Sequence, residues 1–465
     1  MSMASRAPGL AVIGEGNAGL DGHPRRSTRR ARGAVRLLAL SGVRVRTEAL
    51  ARLGMTLPGF IERGNVIASL PSLSLLTLAA HVPEGWHVEY QEADTLSEDV
   101  ISELCSCDVV AISALTARIL DAYTLADRLR AAGVLVVLGG LHVSALPGEA
   151  LAHADAVVKG EGEPVFAEVL GDLASGHSRG IYSRAGFDLR ECRVPRYDLL
   201  QPERYNRLTL QTTRGCPLDC DFCAASRTIS QPKRKPIARI RSELEHILEL
   251  WPRPFIELAD DNTFVSKRWS QELCELFASY PVRWFTETDI SVADDEPLLD
   301  ALARSGCAQL LIGFESARAD ALAGLDSADF KHRRYERAAE RIRRIQARGI
   351  SVNGCFVLGF DQDDASIFEQ TRDYVRAVGL TEVQVTILTP FPGTGLERRL
   401  AREGRLLEPV YWDKCTLFDV TYRPKLMSTN ELESGFQDLM RSLYSSEETA
   451  QRRQLMRAHL RRRTA

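Results

Sequence analysis

From about residue 34 to residue 175, short apolar runs alternate with stretches of helical period. Val109 to Ser113 is an apolar, β-branched run and predicts a strand. Asp121 to Ala132 has the period of an amphipathic helix, and Val134 to Leu138 predicts the next strand. Strand, helix, strand is the signature of a parallel sheet with a crossover. The second strand ends in Gly139-Gly140, and Pro147 to His153 follows as a helix. Ala156 to Val158 is then a short strand closed by Gly160-Glu161-Gly162-Glu163. The pattern predicts an α/β, doubly wound, Rossmann-like domain over residues 34–175, with its ligand at the carboxyl ends of the strands.

Residues 176–205 carry Pro, Gly and Arg with little periodicity and are expected to be a linker. Alternation resumes in the next segment, where Leu208 to Thr212, Phe255 to Ala259, Trp284 to Glu287, Gln309 to Gly313, Val352 to Leu358 and Glu382 to Leu388 predict strands. All but the last precede helical sequence, so residues 206–390 are expected to form a partial (β/α)6 barrel of TIM type. After Pro390 come a Pro-Gly-Thr-Gly turn, a helix-like run from Leu396 to Glu403 and a segment through Phe418. Together they predict a cap over the barrel mouth within residues 391–465. Asn430 to Leu460 is expected to be helical, ending in three arginines that suit the carboxyl end of a helix.

A chain of 465 residues is long enough for two or three domains. With 45% hydrophobic and 26% charged residues and a net charge of -3, the composition is globular and gives no reason to expect nucleic acid. No apolar run approaches the roughly 20 residues of a membrane-spanning helix. A cytoplasmic protein without a transmembrane segment is therefore expected. Residues 1–33 are rich in Gly, Pro, Arg and Ser and are expected to be a disordered tail. Their Arg25-Arg26 and Arg29-Arg30 pairs look superficially like a twin-arginine signal, but Arg36 and Arg44 break the apolar segment that follows.

Ten cysteines are too sparse for a disulfide scaffold, yet three of them fall within eight positions. Cys216, Cys220 and Cys223 have C-x3-C-x2-C spacing directly after a predicted strand. Three thiolates on one loop can hold three irons of a cubane and leave the fourth iron open to a ligand. Zinc would need a fourth ligand nearby; the loop has none, and His246 is distant. The other seven cysteines are expected to pack as small hydrophobes.

This loop, with Phe222 before the third cysteine, resembles the signature of the radical S-adenosylmethionine (SAM) superfamily. The resemblance implies a four-iron, four-sulfur cluster on Cys216, Cys220 and Cys223. It implies that the open iron chelates SAM, whose reductive cleavage yields methionine and a hydrogen-abstracting 5'-deoxyadenosyl radical. It also suggests SAM contacts at Asp260, Asp261 and Asn262, at Glu287, and at Gly313 and Glu315, since carboxylates at strand ends are where a barrel keeps its chemistry.

Leu75 to Ala80, Ile112 to Thr116, Gly139 to His142 and Lys159 to Glu163 occur in an order similar to cobalamin-binding domains fused to radical SAM barrels. On that resemblance Ser113, Thr116, Gly139, Gly140 and His142 are expected to face cobalamin, small residues allowing close approach and hydroxyls bonding a nucleotide tail. His142 is expected in a tail contact or in packing, not as a cobalt ligand. Asp21-Gly22-His23 is rejected as a cobalt site because Arg26 stands where that motif needs Gly. Pro71-Ser72-Leu73-Ser74 departs from the Pro-Pro-Leu-Gly common in such domains.

The nearest likeness is to hopanoid C-2 methylases and bacteriochlorophyll side-chain methylases, through Asp260-Asp261-Asn262, Thr286-Glu287, Gly359-Phe360-Asp361 and Pro392-Gly393-Thr394. It implies cobalamin-dependent methylation of an unactivated carbon in an apolar or natural-product small molecule, with a reducing partner such as flavodoxin or ferredoxin. A cobalamin-dependent cyclase and a noncatalytic cobalamin or iron-sulfur sensor are the alternatives. Phe391, Tyr411, Trp412 and Phe418 are expected to pack rather than select substrate.

Overall fold

The computed structural model describes residues 33–40, 70–224, 230–326 and 328–464. The expected tail therefore lies outside the described residues except for Gly33, as do His23 and the arginine pairs after Pro24.

The first sheet is built from β1 (Ala34–Leu40), β2 (His87–Glu92), β3 (Val109–Ala114), β4 (Leu135–Gly139), β5 (Ala156–Val158) and β6 (Gly180–Tyr182). Its order is β2-β1-β3-β4-β5-β6, and every pair is parallel. Side chains of a strand alternate between faces, and β1 shows the consequence. Leu38 and Leu40 join one buried cluster with the helix Ile119–Ala132, whereas Val35, Leu37 and Ala39 join another with the helices Leu73–Ala79 and Phe166–Ser175. Helices cover both faces, so the sheet is doubly wound. The strand order reverses between β1 and β3, the switch point at which such sheets open a crevice at their carboxyl ends.

Two strands elude periodicity. The edge strand β2 carries charged and polar side chains and is held through Arg36, whose Nε donates to Glu89 at 2.7 Å. β6 lies in the stretch expected to be a linker, where it adds the outer edge of the sheet beside β5. Three residues are too few to show a period.

The second sheet contains β7 (Leu208–Leu210), β10 (Phe255–Leu258), β11 (Arg283–Thr288), β12 (Cys307–Glu315), β13 (Ser351–Leu358) and β14 (Glu382–Ile387), all parallel in that order. Between β7 and β10, the two-residue strands β8 (Thr213–Arg214) and β9 (Lys233–Arg234) form a small antiparallel ribbon. Helices follow β10, β11, β12 and β13, as the apolar periodicity predicts for a partial barrel. Trp284, Leu310, Ile312, Val352 and Val385 pack outward into the helix layer, so their neighbours Glu287, Leu311, Gly313 and Cys355 face the lumen.

Residues after Pro390 serve both halves. The helix Gly395–Arg402 lies against the cysteine loop, Leu396 N donating to Asp221 O at 3.0 Å. Tyr411 and Trp412 are buried in the core of the first domain. The expected helix from Asn430 to Leu460 is two helices, Thr429–Leu443 and Ser446–Thr464. Ser445 starts the second by accepting from Glu448 N at 3.3 Å, a side-chain cap that competes with continuation of the first. Leu432, Phe436 and Met440 of the first helix join the barrel core.

Candidate active site between the two sheets

The chain leaves β7 and enters the cysteine loop under the control of Asp260. This carboxylate, buried after β10, accepts from Thr212 N at 2.7 Å, Thr213 N at 2.8 Å and Thr263 Oγ1 at 2.9 Å, and from the Thr212 hydroxyl. Both oxygens are committed to protein donors, so Asp260 positions the loop. Burial raises its pKa and the bonds from the three threonines oppose that rise. Asp261 accepts from Gly215 N at 2.9 Å, one residue before Cys216. Gly215 has φ +78°, and a Cβ there would lie 2.8 Å from Ser230 O. Only glycine fits this turn.

Cys220 is buried and Cys216 and Cys223 are half-buried, and Cys223 lies near enough to each of the other two to influence its thiol electrostatically. Burial pushes the Cys220 thiol up to about 12, opposed by the Lys331 ammonium. Lys331 Nζ donates to Glu315 Oε1 at 2.7 Å and to Gly313 O at 3.1 Å. Glu315 adopts a left-handed φ of 65° and folds back over Gly313, where a Cβ would come 2.3 Å from Glu315 Oε1. Asn262 Nδ2 donates to Asp289 at 3.0 Å, and its side chain also bonds Cys216. Asp261, Asn262, Gly313 and Glu315 are thus gathered around the cysteine loop. Phe222 packs edge-on against Phe360 with ring centroids 6.2 Å apart.

Glu287 is accessible to the lumen yet enclosed by the barrel. That enclosure, with the carboxylates of Glu257, Asp261, Asp260 and Glu315, pushes its carboxyl up to about 8. A carboxylic acid that is largely protonated near neutral pH can donate a hydrogen bond as well as accept one.

A cavity of about 350 Å³ opens at the carboxyl ends of β3, β4 and β5, within the size range of small-molecule sites. Ser113, Gly139 and Gly140 line it, together with Thr77, Gly160 and Gly162. Its other wall belongs to the barrel: Gln211, Arg214, Gly215, Ala259 and Asp261. Thr116 and His142 are not in the lining. Thr116 is buried in the turn after β3. His142 is 1% exposed, pairs with Glu149 at 3.2 Å and stands edge-on to Trp412 with ring centroids 5.3 Å apart. Burial lowers its pKa, which suits a neutral packing residue.

Sequence reasoning assigned no role to the residues that join the two walls. Arg214 Nη1 donates to Glu161 at 2.8 Å and Nη2 to Glu163 at 2.7 Å, across the domain boundary. The available signal was local: two glutamates alternating with glycines at a strand end, and a cation two residues before the first cysteine of the motif.

A family profile described as "B12 binding domain" matches residues 63–170, and one described as "Radical SAM superfamily" matches residues 210–375. The chain carries a B12-binding domain followed by a radical SAM domain. A third profile, a domain of unknown function (DUF4070), matches residues 394–465 of this radical SAM chain. Among curated proteins the chain is similar to bacteriochlorophyllide d C-12(1)-methyltransferase of Chlorobaculum tepidum, at 27% identity over 85% of this chain and 86% of that protein. It is also similar to bacteriochlorophyllide d C-8(2)-methyltransferase of the same organism, at 25% identity over 80% and 88%. The fold matches that of TsrM from Kitasatospora setae, a radical SAM methyltransferase solved with cobalamin and a four-iron, four-sulfur cluster bound. That match has TM-score 0.64 and 15% identity, over 93% of this chain and all of that one.

The B12-binding and radical SAM domains imply a four-iron, four-sulfur cluster, SAM and cobalamin as the cofactors. The residues present fit them. Among the described residues no three metal-binding side chains enclose a single ion; a cubane, with one thiolate per iron, does not require that. The described cavity lining holds glycines and hydroxyls and no histidine, so a corrinoid there would take no cobalt ligand from this wall. No helix among the described residues is long and apolar enough to cross a membrane.

Proposed function

We propose that this radical SAM enzyme methylates an unactivated carbon of a small molecule in a cobalamin-dependent reaction. The observation that carries the reading is the shared cavity: one wall is the carboxyl edge of the B12-type sheet, and the other is the stem of the cysteine loop with Asp261. When bound, the cluster supplies an electron for SAM cleavage, SAM the hydrogen-abstracting fragment, and cobalamin the methyl group.

The chain's own residues then have distinct tasks. Cys216, Cys220 and Cys223 hold the cluster, while Asp260 fixes the strand that delivers them. Asp261, Asn262, Gly313 and Glu315 border SAM, and Lys331 keeps the Glu315 carboxylate folded inward by its 2.7 Å ion pair. Glu287 faces SAM or substrate from the lumen as a hydrogen-bond donor or acceptor. Ser113, Gly139 and Gly140 approach cobalamin; Thr116 and His142, outside the cavity lining, are not proposed as contacts. Similarity to bacteriochlorophyllide methyltransferases supports an apolar or natural-product substrate. No disulfide joins any cysteines among the described residues, which supports a reducing, cytoplasmic setting with a flavodoxin or ferredoxin as electron donor.

The test is anaerobic purification and reconstitution with iron, sulfide and hydroxocobalamin, followed by measurement of bound cobalamin and of 5'-deoxyadenosine released from SAM under reductant. Stoichiometric cobalamin, with deoxyadenosine lost in Cys220→Ala, is expected, and a product heavier by a methyl group identifies the substrate. Cleavage without bound cobalamin overturns cobalamin-dependent methylation, product without added methyl favours cyclisation, and absence of both signals favours a sensor.

A further inference from the structure

The cysteine loop is anchored to the first domain at both of its stems. Arg214 on β8 and Lys233 on β9, the two strands of the ribbon, both donate to Glu161 Oε1, at 2.8 and 2.5 Å. Glu161 Oε2 accepts from Phe187 N at 3.1 Å, and Glu163 takes the other arm of the Arg214 fork at 2.7 Å. Gln211 accepts from the same guanidinium at 2.9 Å. Side chains of both glutamates are almost wholly buried, at 2% and 6% exposure. Such a charge cluster in low dielectric is geometrically demanding, because loss of one partner leaves another charge buried and unpaired. Arg214 is followed by Gly215 and Cys216, while Gly160, Glu161, Gly162 and Glu163 form a wall of the cavity. One guanidinium therefore connects the cofactor cavity to the cluster loop with no intervening residue except Gly215.

From this geometry we propose that Arg214, with Glu161 and Glu163, is a positioning joint that couples occupancy of the cobalamin cavity to the environment of the cluster. The proposal rests on the cofactor reading above. A ligand that fixes the Gly160–Glu163 loop fixes the guanidinium fork and, through it, the first cysteine. Energetic coupling is reciprocal, so an assembled cluster must change cobalamin affinity by the same factor.

The experiment measures hydroxocobalamin binding by visible absorbance to cluster-loaded and cluster-free full-length protein, and the EPR spectrum of the reduced cluster with and without cobalamin. In the wild type the two affinities are expected to differ at least about fivefold, and cobalamin is expected to shift the EPR signal. In Arg214→Gln the affinity ratio collapses to about one and the shift disappears, whatever the variant's absolute affinity for cobalamin. Arg214→Lys, which keeps the charge but loses the fork, is expected to restore part of the ratio. If Arg214→Gln loses iron or fails to fold, Glu163→Gln carries the same test from outside the cysteine loop. Wild-type protein that binds both cofactors with no coupling overturns the joint and leaves the functional reading intact; so does a variant that keeps the full coupling. Wild-type protein that binds neither cofactor overturns the functional reading itself.

Discussion

Asp260→Ala tests how the cysteine loop is held. The substitution removes the acceptor of the Thr212 and Thr213 backbone N–H groups and of the Thr212 and Thr263 hydroxyls. The hydroxyls can turn to other partners, and Thr263 already has Thr286 Oγ1 at 2.5 Å. The two backbone donors cannot, because Thr212 and Thr213 are buried at 0% and 2% exposure. Each orphaned N–H costs about 1–3 kcal/mol, so the pair gives about 2–6 kcal/mol. Asp260→Asn keeps one oxygen for both N–H groups and offers its amide to the hydroxyls, so its expected cost is about 1 kcal/mol. The assay is urea unfolding of the cofactor-free chain, read on the barrel transition, together with iron bound per chain after reconstitution. Alanine is expected to lower the midpoint strongly and reduce iron; asparagine is expected to do little of either. Equal effects of the two substitutions, or an alanine cost below about 1 kcal/mol, would show that the Asp260 bonds do not hold the loop.

Three further outcomes follow from the geometry. Gly215→Ala forces a Cβ toward Ser230 O at a left-handed φ, so reconstituted iron should fall with little change in the far-UV spectrum of the chain; normal iron loading would refute the close approach. The Glu287 carboxyl rises from an ordinary 4.5 to about 8, so the folded chain holds an extra proton between those values and loses stability as pH climbs through them. Glu287→Gln should flatten that part of the stability profile of the cofactor-free chain, gaining on the wild type at pH 8 but not at pH 4.5; parallel profiles would contradict the shift. Trp412→Ala removes a buried ring packed on His142 and Tyr411 and should cost about 3–5 kcal/mol in thermal or urea unfolding, with Trp412→Phe recovering most of it.

Features that depend on neighbours along the chain were legible without the fold. Val109–Ala114 and Leu135–Gly139 are apolar because helices cover both faces of their sheet, and a buried strand advertises itself by composition. The barrel strands were legible because the positions that pack outward against the helix layer, such as Leu310, Ile312, Val352 and Val385, are apolar and recur at strand period. The three cysteines needed no tertiary information either, since one loop delivers them all. Glycine pairs at strand ends likewise marked Gly139 and Gly140, which do line the cavity.

Tertiary structure decided whatever depends on pairing across distance. β2 is polar because it is an edge, and its place is fixed by Arg36 reaching from the adjacent strand, a contact no period encodes. Asp260 and Asp261 are neighbours with the same chemistry in sequence, yet one is spent on the loop's backbone and the other borders the cavity. His142 follows the glycine pair but turns away from the cavity toward Trp412, far along the chain, because burying both rings against each other removes apolar surface from water. The joint between Arg214 and Glu161 spans 53 residues of sequence. Charge type and spacing give each partner many possible mates; only the packing of one sheet's carboxyl edge against the other's selects this one.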